Sequence, residues 1–382
     1  MGALEGVLHI ISGGDTGGAK THIISLVKEL DKLIDAKVIC FIEDTFYYDA
    51  LKAGINIEVF PQKKRSDMSV INKLKDEIDK EGYDIIHCHG ARANFIGVFL
   101  KREIKKPMLT TIHSDYKLDF KDNFYKKIVY TALNSMALKK FDYYIAISDT
   151  FKDMLISRVF KENKIFVVYN GIDLDGEMKY ITRKEFLARY NISEENKIIV
   201  GIIARLDLVK DHETFIKAAK KVIEQRDDVL FLIAGTGNEE KRLKSLVKEM
   251  DLDKHIYFLG FVKDQYSFFN TIDINVLTSV SESFPYVILE GARLKKTIIS
   301  TEVGGINRII ENAHNGWLIN VGDSETLADK IIFFAENRDK IYEMGESLFA
   351  TVEKNFSSRK MAENHVEIYK EILKNENYKG IS

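Results

Sequence analysis

The residues best able to do chemistry lie in the stretch TSVSESFPYVILEGAR, 278–293. An apolar run, 274–278, ends there in a polar loop carrying Glu282. Pro285 suits the first position of a helix, so a helix N-terminus is expected over Ser283 to Pro285. The free N–H groups and positive dipole end of such a terminus would hold a phosphate. Glu290 lies about 7–8 Å further up the axis, at about 1.5 Å per residue. A carboxylate there can accept two vicinal hydroxyls, as a ribose presents, and Glu282, ahead of the helix, is free to face a sugar. Taken alone, both glutamates read equally well as ordinary surface residues.

Three further loops carry candidates. In GIIARLDLVKD, 201–211, Arg205 and Lys210 follow a buried strand and precede a helix starting near Asp211. Two cations at the mouth of a strand can neutralise a diphosphate, Arg as a planar fork and Lys as a point charge; a solvated turn is the plainer alternative. In SGGDTGGAKTH, 12–22, four glycines (Gly13, Gly14, Gly17 and Gly18) let backbone approach a ligand closely and turn its N–H groups inward. The spacing is neither a dinucleotide fingerprint nor a Walker A loop, and a flexible turn remains open. AGTGNEEKRL, 234–243, offers Gly235 and Gly237 after another strand, a weak signal by itself.

The elements that must position these loops alternate regularly. Strands are predicted at 7–12, 36–42, 56–60, 84–89, 108–113, 143–148 and 165–169. After a connection at 171–196 holding a short helix, they resume at 198–203, 229–234, 256–259, 274–278, 297–300 and 317–320. Helix-period segments lie between them, including 19–33, 68–81, 211–226, 238–250, 285–295, 324–337 and 339–350. Continuous rather than alternating apolar strands mean parallel sheets covered on both faces. The expected architecture is α/β: two tandem doubly wound Rossmann-like domains facing a cleft, with binding loops at the carboxyl ends of the strands. The domains are placed at 1–172 and 190–355, and a last helical stretch, 358–382, is left to dock, the first domain being one candidate.

Composition agrees with a globular enzyme-sized chain. At about 150 residues per domain, 382 residues imply two or three. Fifty-six basic against 58 acidic residues give a net charge of −2, no argument for a nucleic-acid binder. Only Cys40 and Cys88 occur, each in an apolar run, so buried free thiols and a reducing cytoplasm are expected. The N-terminus lacks the basic region of a signal peptide, and no apolar run approaches the roughly 20 residues of a membrane span.

ESFPYVILE, with its Glu-x₇-Glu spacing, resembles the donor-site motif of retaining glycosyltransferases with the GT-B fold. SGG-x-x-GGA at the first loop, HSD at 113–115, YNGID at 169–173, ARLDLVKD at 204–211, AGTGNEE at 234–240 and VGGINRIIENAHNGWLI at 303–319 accompany it in order. Together they resemble glycosyltransferase family 4, closely over 198–320 and loosely before that. The resemblance implies a nucleotide-sugar donor, a UDP-sugar by family frequency, and a glycan or lipid-linked acceptor held by the N-terminal domain. It implies transfer with retention and no cofactor or bound metal. Arg205 and Lys210 would hold the diphosphate and steady the leaving group, Glu290 the ribose, and Glu282 the sugar hydroxyls. Backbone N–H groups at Phe284 and beside Pro285 would cradle phosphate, loops after 235 and 260 (Gly235 among them) the base, and Gly14, Gly17 and Gly18 the cleft floor. His113 would sit beside the sugar. Three positions depart from the pattern: Arg308 replaces the acid of G-G-x-x-E, Asp211 stands where Gly follows the Lys, and Lys20 stands where an acid closes the first loop. A nucleotide-sugar 2-epimerase and a non-catalytic nucleotide-sugar binder are the competing readings.

Other signals carry less. Asp173/Asp175 and Asp251/Asp253 form Asp-x-Asp triplets, read as chance. His87 and His89 are assigned no metal, on the reading that they point to opposite faces of a strand. The segment 117–140 holds six Lys against two Asp, with Phe120, Phe124, Tyr125 and Tyr130 interleaved. It reads as a solvated helix or as a docking surface for an anionic membrane, which would make the protein peripheral at the cytoplasmic face.

Overall fold

The computed structural model describes residues 4–14, 17–64, 67–113, 134–193 and 196–379, and divides into two compact units, 1–173 with 357–382 and 174–356. The first is built on a seven-stranded sheet in the order β3-β2-β1-β4-β5-β6-β7. Its strands are β1 (Gly6–Ile11), β2 (Asp35–Cys40), β3 (Ile57–Val59), β4 (Ile85–His89), β5 (Met108–Ile112), β6 (Tyr143–Ala146) and β7 (Ile165–Val167). The second has six strands in the order β10-β9-β8-β11-β12-β13. These are β8 (Ile198–Ile203), β9 (Val229–Ala234), β10 (Ile256–Gly260), β11 (Ile274–Leu277), β12 (Thr297–Thr301) and β13 (Trp317–Ile319). All pairings are parallel. All thirteen predicted strands are present. Their near-continuous burial follows from helices covering both faces, and each unit is a Rossmann-like domain of the doubly wound kind.

The complete helices of the first unit are α1 (Gly17–Leu30), α2 (Thr45–Lys52), α3 (Ser69–Glu81), α4 (Gly90–Leu100) and α5 (Asp149–Ser157). In the second they are α6 (Arg183–Ala188), α7 (His212–Ile223), α8 (Glu240–Glu249), α9 (Gln265–Thr271), α10 (Tyr286–Arg293), α11 (Ser324–Glu336) and α12 (Arg338–Asn355). The short helix expected in the connection is α6, started by a reciprocal cap between Thr182 and Glu185.

The last helix, α13 (Ser358–Lys379), returns to the first unit. Met361, Ala362, Val366, Tyr369 and Ile372 enter one core with Val7, Ile23, Leu26 and Val27. The chain passes back beside Gly171, where an added Cβ would stand 2.5 Å from the Ser357 carbonyl oxygen. Ser358 N donates to Ile172 O at 2.8 Å at the same crossing. Glycine is required there because two backbones touch. Both cysteines are buried and free, and burial pushes the Cys40 thiol up to about 11.

Candidate functional site

In the second unit, three loops at the carboxyl ends of β8, β9 and β11 are tied together by backbone. After β8, Leu206 N donates to Thr236 O, and Glu239 N donates back to Leu206 O, both at 3.0 Å. Gly235 has φ +141, and a Cβ there would lie 1.9 Å from Ala204 O; one at Gly237 would lie 2.2 Å from Leu206 O. The glycines of AGTG therefore let the β8 and β9 loops close on each other.

Lys210 ends a short 3₁₀ turn and is followed by Asp211 at φ +46, in the left-handed region. That backbone explains why a glycine fits the position. Asp tolerates it by capping α7: its carboxylate accepts from Thr214 N at 3.3 Å and Thr214 Oγ1 at 2.6 Å. The turn is braced from β11, since Thr278 Oγ1 donates to Lys210 O and Val280 N donates to Val209 O. This brings Lys210 Nζ to Glu282 Oε1 at 2.5 Å, and the same oxygen accepts from Ser279 Oγ at 2.6 Å. Arg205 is different: its side chain is 81% exposed and pairs with Asp207 at 3.0 Å. It is available to an anionic ligand at little desolvation cost.

The Glu282 loop is also pinned from β12. Gly304 has φ +58, and a Cβ there would lie 2.0 Å from Glu282 O; Gly305 N donates to Ser283 O. The two glycines of the altered Gly-Gly loop thus keep their packing role, and Arg308 lies exposed in the 3₁₀ turn after them. Helix α10 begins one residue later than expected. Pro285, with ψ 124, is its N-cap and not its first helical residue, and no side chain caps the end. Phe284 is buried beside Phe356, ring centroids 5.2 Å apart, and wedges the loop in place.

One turn above Tyr286, Glu290 accepts from Gln265 Nε2 at 2.8 Å. Burial raises its carboxyl to about 7, against the Gln265 hydrogen bond that lowers it. The Tyr286 hydroxyl is buried with no hydrogen-bond partner among the described residues. Sequence reasoning missed Gln265. It also missed His212, buried right after Asp211 with neither ring nitrogen partnered and held down to about 4 by burial.

In the first unit, Gly17 and Gly18 open α1, and a Cβ at Gly14 would lie 3.8 Å from Ile42 Cδ1, an ordinary contact. The strained glycine of that loop is Gly13, with φ +93 and a Cβ position 2.3 Å from Ile42 O. Lys20, the departure at the first loop, pairs with Asp49. Asp173, of one discounted triplet, pairs with Lys28 at 2.6 Å.

His113 directly follows β5. Its Nε2 lies 3.4 Å from His89 Nδ1, and His22 stands edge-on to its ring. The opposite-face reading of His87 and His89 is wrong. Two residues apart on β4, they share a face, with rings stacked at 4.2 Å. Residues 117–133 of the basic aromatic segment lie outside the described residues. Among the described residues, no helix is long and apolar enough to cross a membrane.

Known proteins with this pattern are informative. Residues 16–175 match the family described as Glycosyltransferase Family 4, and residues 183–348 match Glycosyl transferases group 1. The N-acetyl-alpha-D-glucosaminyl L-malate synthase of Bacillus anthracis is 27% identical over 316 residues, 81% of this chain and 80% of its own. The UDP-Gal:alpha-D-GlcNAc-diphosphoundecaprenol alpha-1,3-galactosyltransferase of Escherichia coli is 26% identical over 278 residues, 71% of each chain. Anabaena HepE, solved in complex with UDP, superimposes with a TM-score of 0.78 at 20% identity, over 96% of this chain and 99% of its own. That last likeness is one of fold.

Proposed function

The chain belongs to the glycosyltransferases of family 4 type with the GT-B fold, and from that premise we propose a retaining, metal-independent transferase acting on a UDP-sugar. Its acceptor is a growing glycan or a lipid-linked glycan in cell-surface polysaccharide or glycoconjugate synthesis. The donor belongs to the second unit and the acceptor to the first.

The observation that carries this reading is the meeting of Lys210 and Glu282, with Arg205 exposed on the same loop. The diphosphate takes the two cations, which steady the charge that develops on it as the sugar leaves. Glu282 turns to the sugar hydroxyls, and Glu290 accepts the ribose hydroxyls. The acceptor attacks from the face the diphosphate leaves, and a diphosphate oxygen takes its proton. Positioning and charge stabilisation then supply the rate, and no protein base is required. The names of the relatives support the donor class: one acts from UDP-galactose on a diphosphoundecaprenol-linked sugar. A lipid-linked acceptor also fits the basic aromatic segment 117–140, which would rest on the anionic cytoplasmic face of a membrane.

The test is a thermal-shift panel with UDP, GDP, ADP and their common sugars, with and without magnesium. A ligand at 100 times its Kd adds about 2.7 kcal/mol, a shift of a few degrees. A magnesium-independent shift with uridine nucleotides is expected. A shift confined to another base, or one that needs magnesium, overturns the corresponding part of the reading.

A further inference from the structure

Six of the nine histidines gather in the first unit: His9, His22, His87, His89, His113 and His365. His9 and His87 are register partners on β1 and β4, and His89 lies two residues on. Ligand atoms of these three lie within 4.8 Å of one another. Both nitrogens of His87 are already engaged, by Tyr369 Oη at 2.8 Å and Thr111 Oγ1 at 2.7 Å. Hydrogen bonding therefore accounts for that ring without a cation.

The other contacts run in a file. His113 Nε2 meets His89 Nδ1 at 3.4 Å, His89 Nε2 meets His9 Nδ1 at 3.0 Å, and His9 Nε2 is buried with no partner. Burial, reinforced by the neighbouring imidazoles, keeps all three rings neutral. A neutral imidazole has one N–H and one lone pair, so a file of three admits two proton arrangements. In one, His9 Nδ1–H donates to His89, His89 Nδ1–H donates to His113 Nε2, and the unpartnered atom at the buried end is a lone pair. In the other, every bond is reversed and the buried end is an N–H with no acceptor. Orphaned buried N–H groups are the rarer of the two.

We infer that His89, backed by His9, is a positioning residue that fixes His113 in its Nδ1–H form, so that His113 offers the sugar donor a hydrogen-bond donor and no basic lone pair. The inference rests on the transferase reading, with His113 beside the sugar as the family resemblance implies. It makes His113 a partner for a hydroxyl or phosphate oxygen, and it rules the ring out as acceptor of the attacking hydroxyl's proton.

Two measurements on the full chain test it. In proton–nitrogen spectra of protein labelled with ¹⁵N-histidine, with His113 assigned by the signals lost in His113→Gln, the Nδ1–H pattern is expected. An Nε2–H pattern, or a ring protonated at both nitrogens, overturns the inference. In kinetics, His89→Leu is expected to lower kcat about tenfold or more while the donor KM stays within about twofold. His89→Asn, whose amide N–H can overlay His89 Nδ1–H, should recover most of that loss. Unchanged kcat in His89→Leu, or equal losses in both variants, counts against positioning. The spectrum reports the tautomer even if no nucleotide-sugar is turned over, so failure of the transferase reading and failure of this one are distinguishable.

Discussion

Glu282 Oε1 accepts a hydrogen bond from Lys210 Nζ at 2.5 Å, although the residues stand 72 positions apart. β8 and β11 are neighbours in the sheet, so the loops that leave their carboxyl ends meet. Each charge is mostly shielded from water, with side-chain exposures of 20% for Lys210 and 10% for Glu282. On the proposed reading, a diphosphate that approaches Lys210 meets a cation already paired, and its binding would exchange one anionic partner for another and release the carboxylate.

Glu282→Gln keeps the size of the side chain and removes its charge. Transfer should fall about 100-fold or more while the fold persists, because an interaction made to the reacting sugar is lost. Circular dichroism and a donor-turnover assay check this; wild-type turnover would sink the assignment.

Arg205→Ala and Lys210→Ala should weaken donor binding and transfer together, each by about tenfold to 100-fold. Lys210→Ala should also lower stability, since it strands the mostly buried Glu282. Arg205→Ala should not, since that guanidinium is exposed. Calorimetric titration with UDP, alongside melting curves, separates the two effects. Normal donor affinity in both variants would remove the phosphate role.

If Glu290 holds the ribose as proposed, its carboxyl, raised to about 7 by burial, gives donor binding a pH dependence. A ribose needs the ionised form as acceptor, and that form gains as pH rises. UDP affinity should rise about tenfold from pH 6 to pH 8. Glu290→Gln should bind weakly at every pH, with a flat profile over that range. A profile equally steep in the variant would place the titrating group elsewhere.

Acid should destabilise the first unit. His9 and His365 are held down to about 3 and His22 to about 4, chiefly by burial, against an ordinary 6.5. Between those values the unfolded chain binds the protons and the folded chain does not. Stability is therefore full above about 6.5 and falls as pH drops below it, by about 1.4 kcal/mol per unit for each group. Three such groups give a slope of about 4 kcal/mol per pH unit near pH 5. Melting temperatures from pH 8 to pH 5 should drop accordingly; a flat series would mean that the rings are hydrated or already charged.

The segment 117–140 should bring the protein to anionic vesicles at low salt and release it as salt rises, because basic residues near such a surface contribute about 1 kcal/mol each. Co-sedimentation with phosphatidylserine or phosphatidylglycerol vesicles, against neutral ones, measures this. No binding at low salt would leave the solvated-helix reading.

The sequence by itself determined the alternation of strand and helix, and with it two parallel sheets, because buried strands must be apolar without interruption. It also placed Arg205, Lys210 and Glu282 in loops after strands, where doubly wound sheets present ligands, and Glu290 on the helix that follows. Tertiary structure alone decided which of these meet. The Lys210–Glu282 pair depends on β8 lying beside β11, and no local spacing encodes strand order. The same holds for the left-handed backbone that makes sense of Asp211, and for the burial that lifts Glu290. The histidine file spans β1, β4 and the end of β5. Its members look unrelated along the chain until the parallel register stacks them on one face. Period-two geometry already put His87 and His89 on one side of β4; what they touch was decided by the neighbouring strands β1 and β5 and by α13 packed over them.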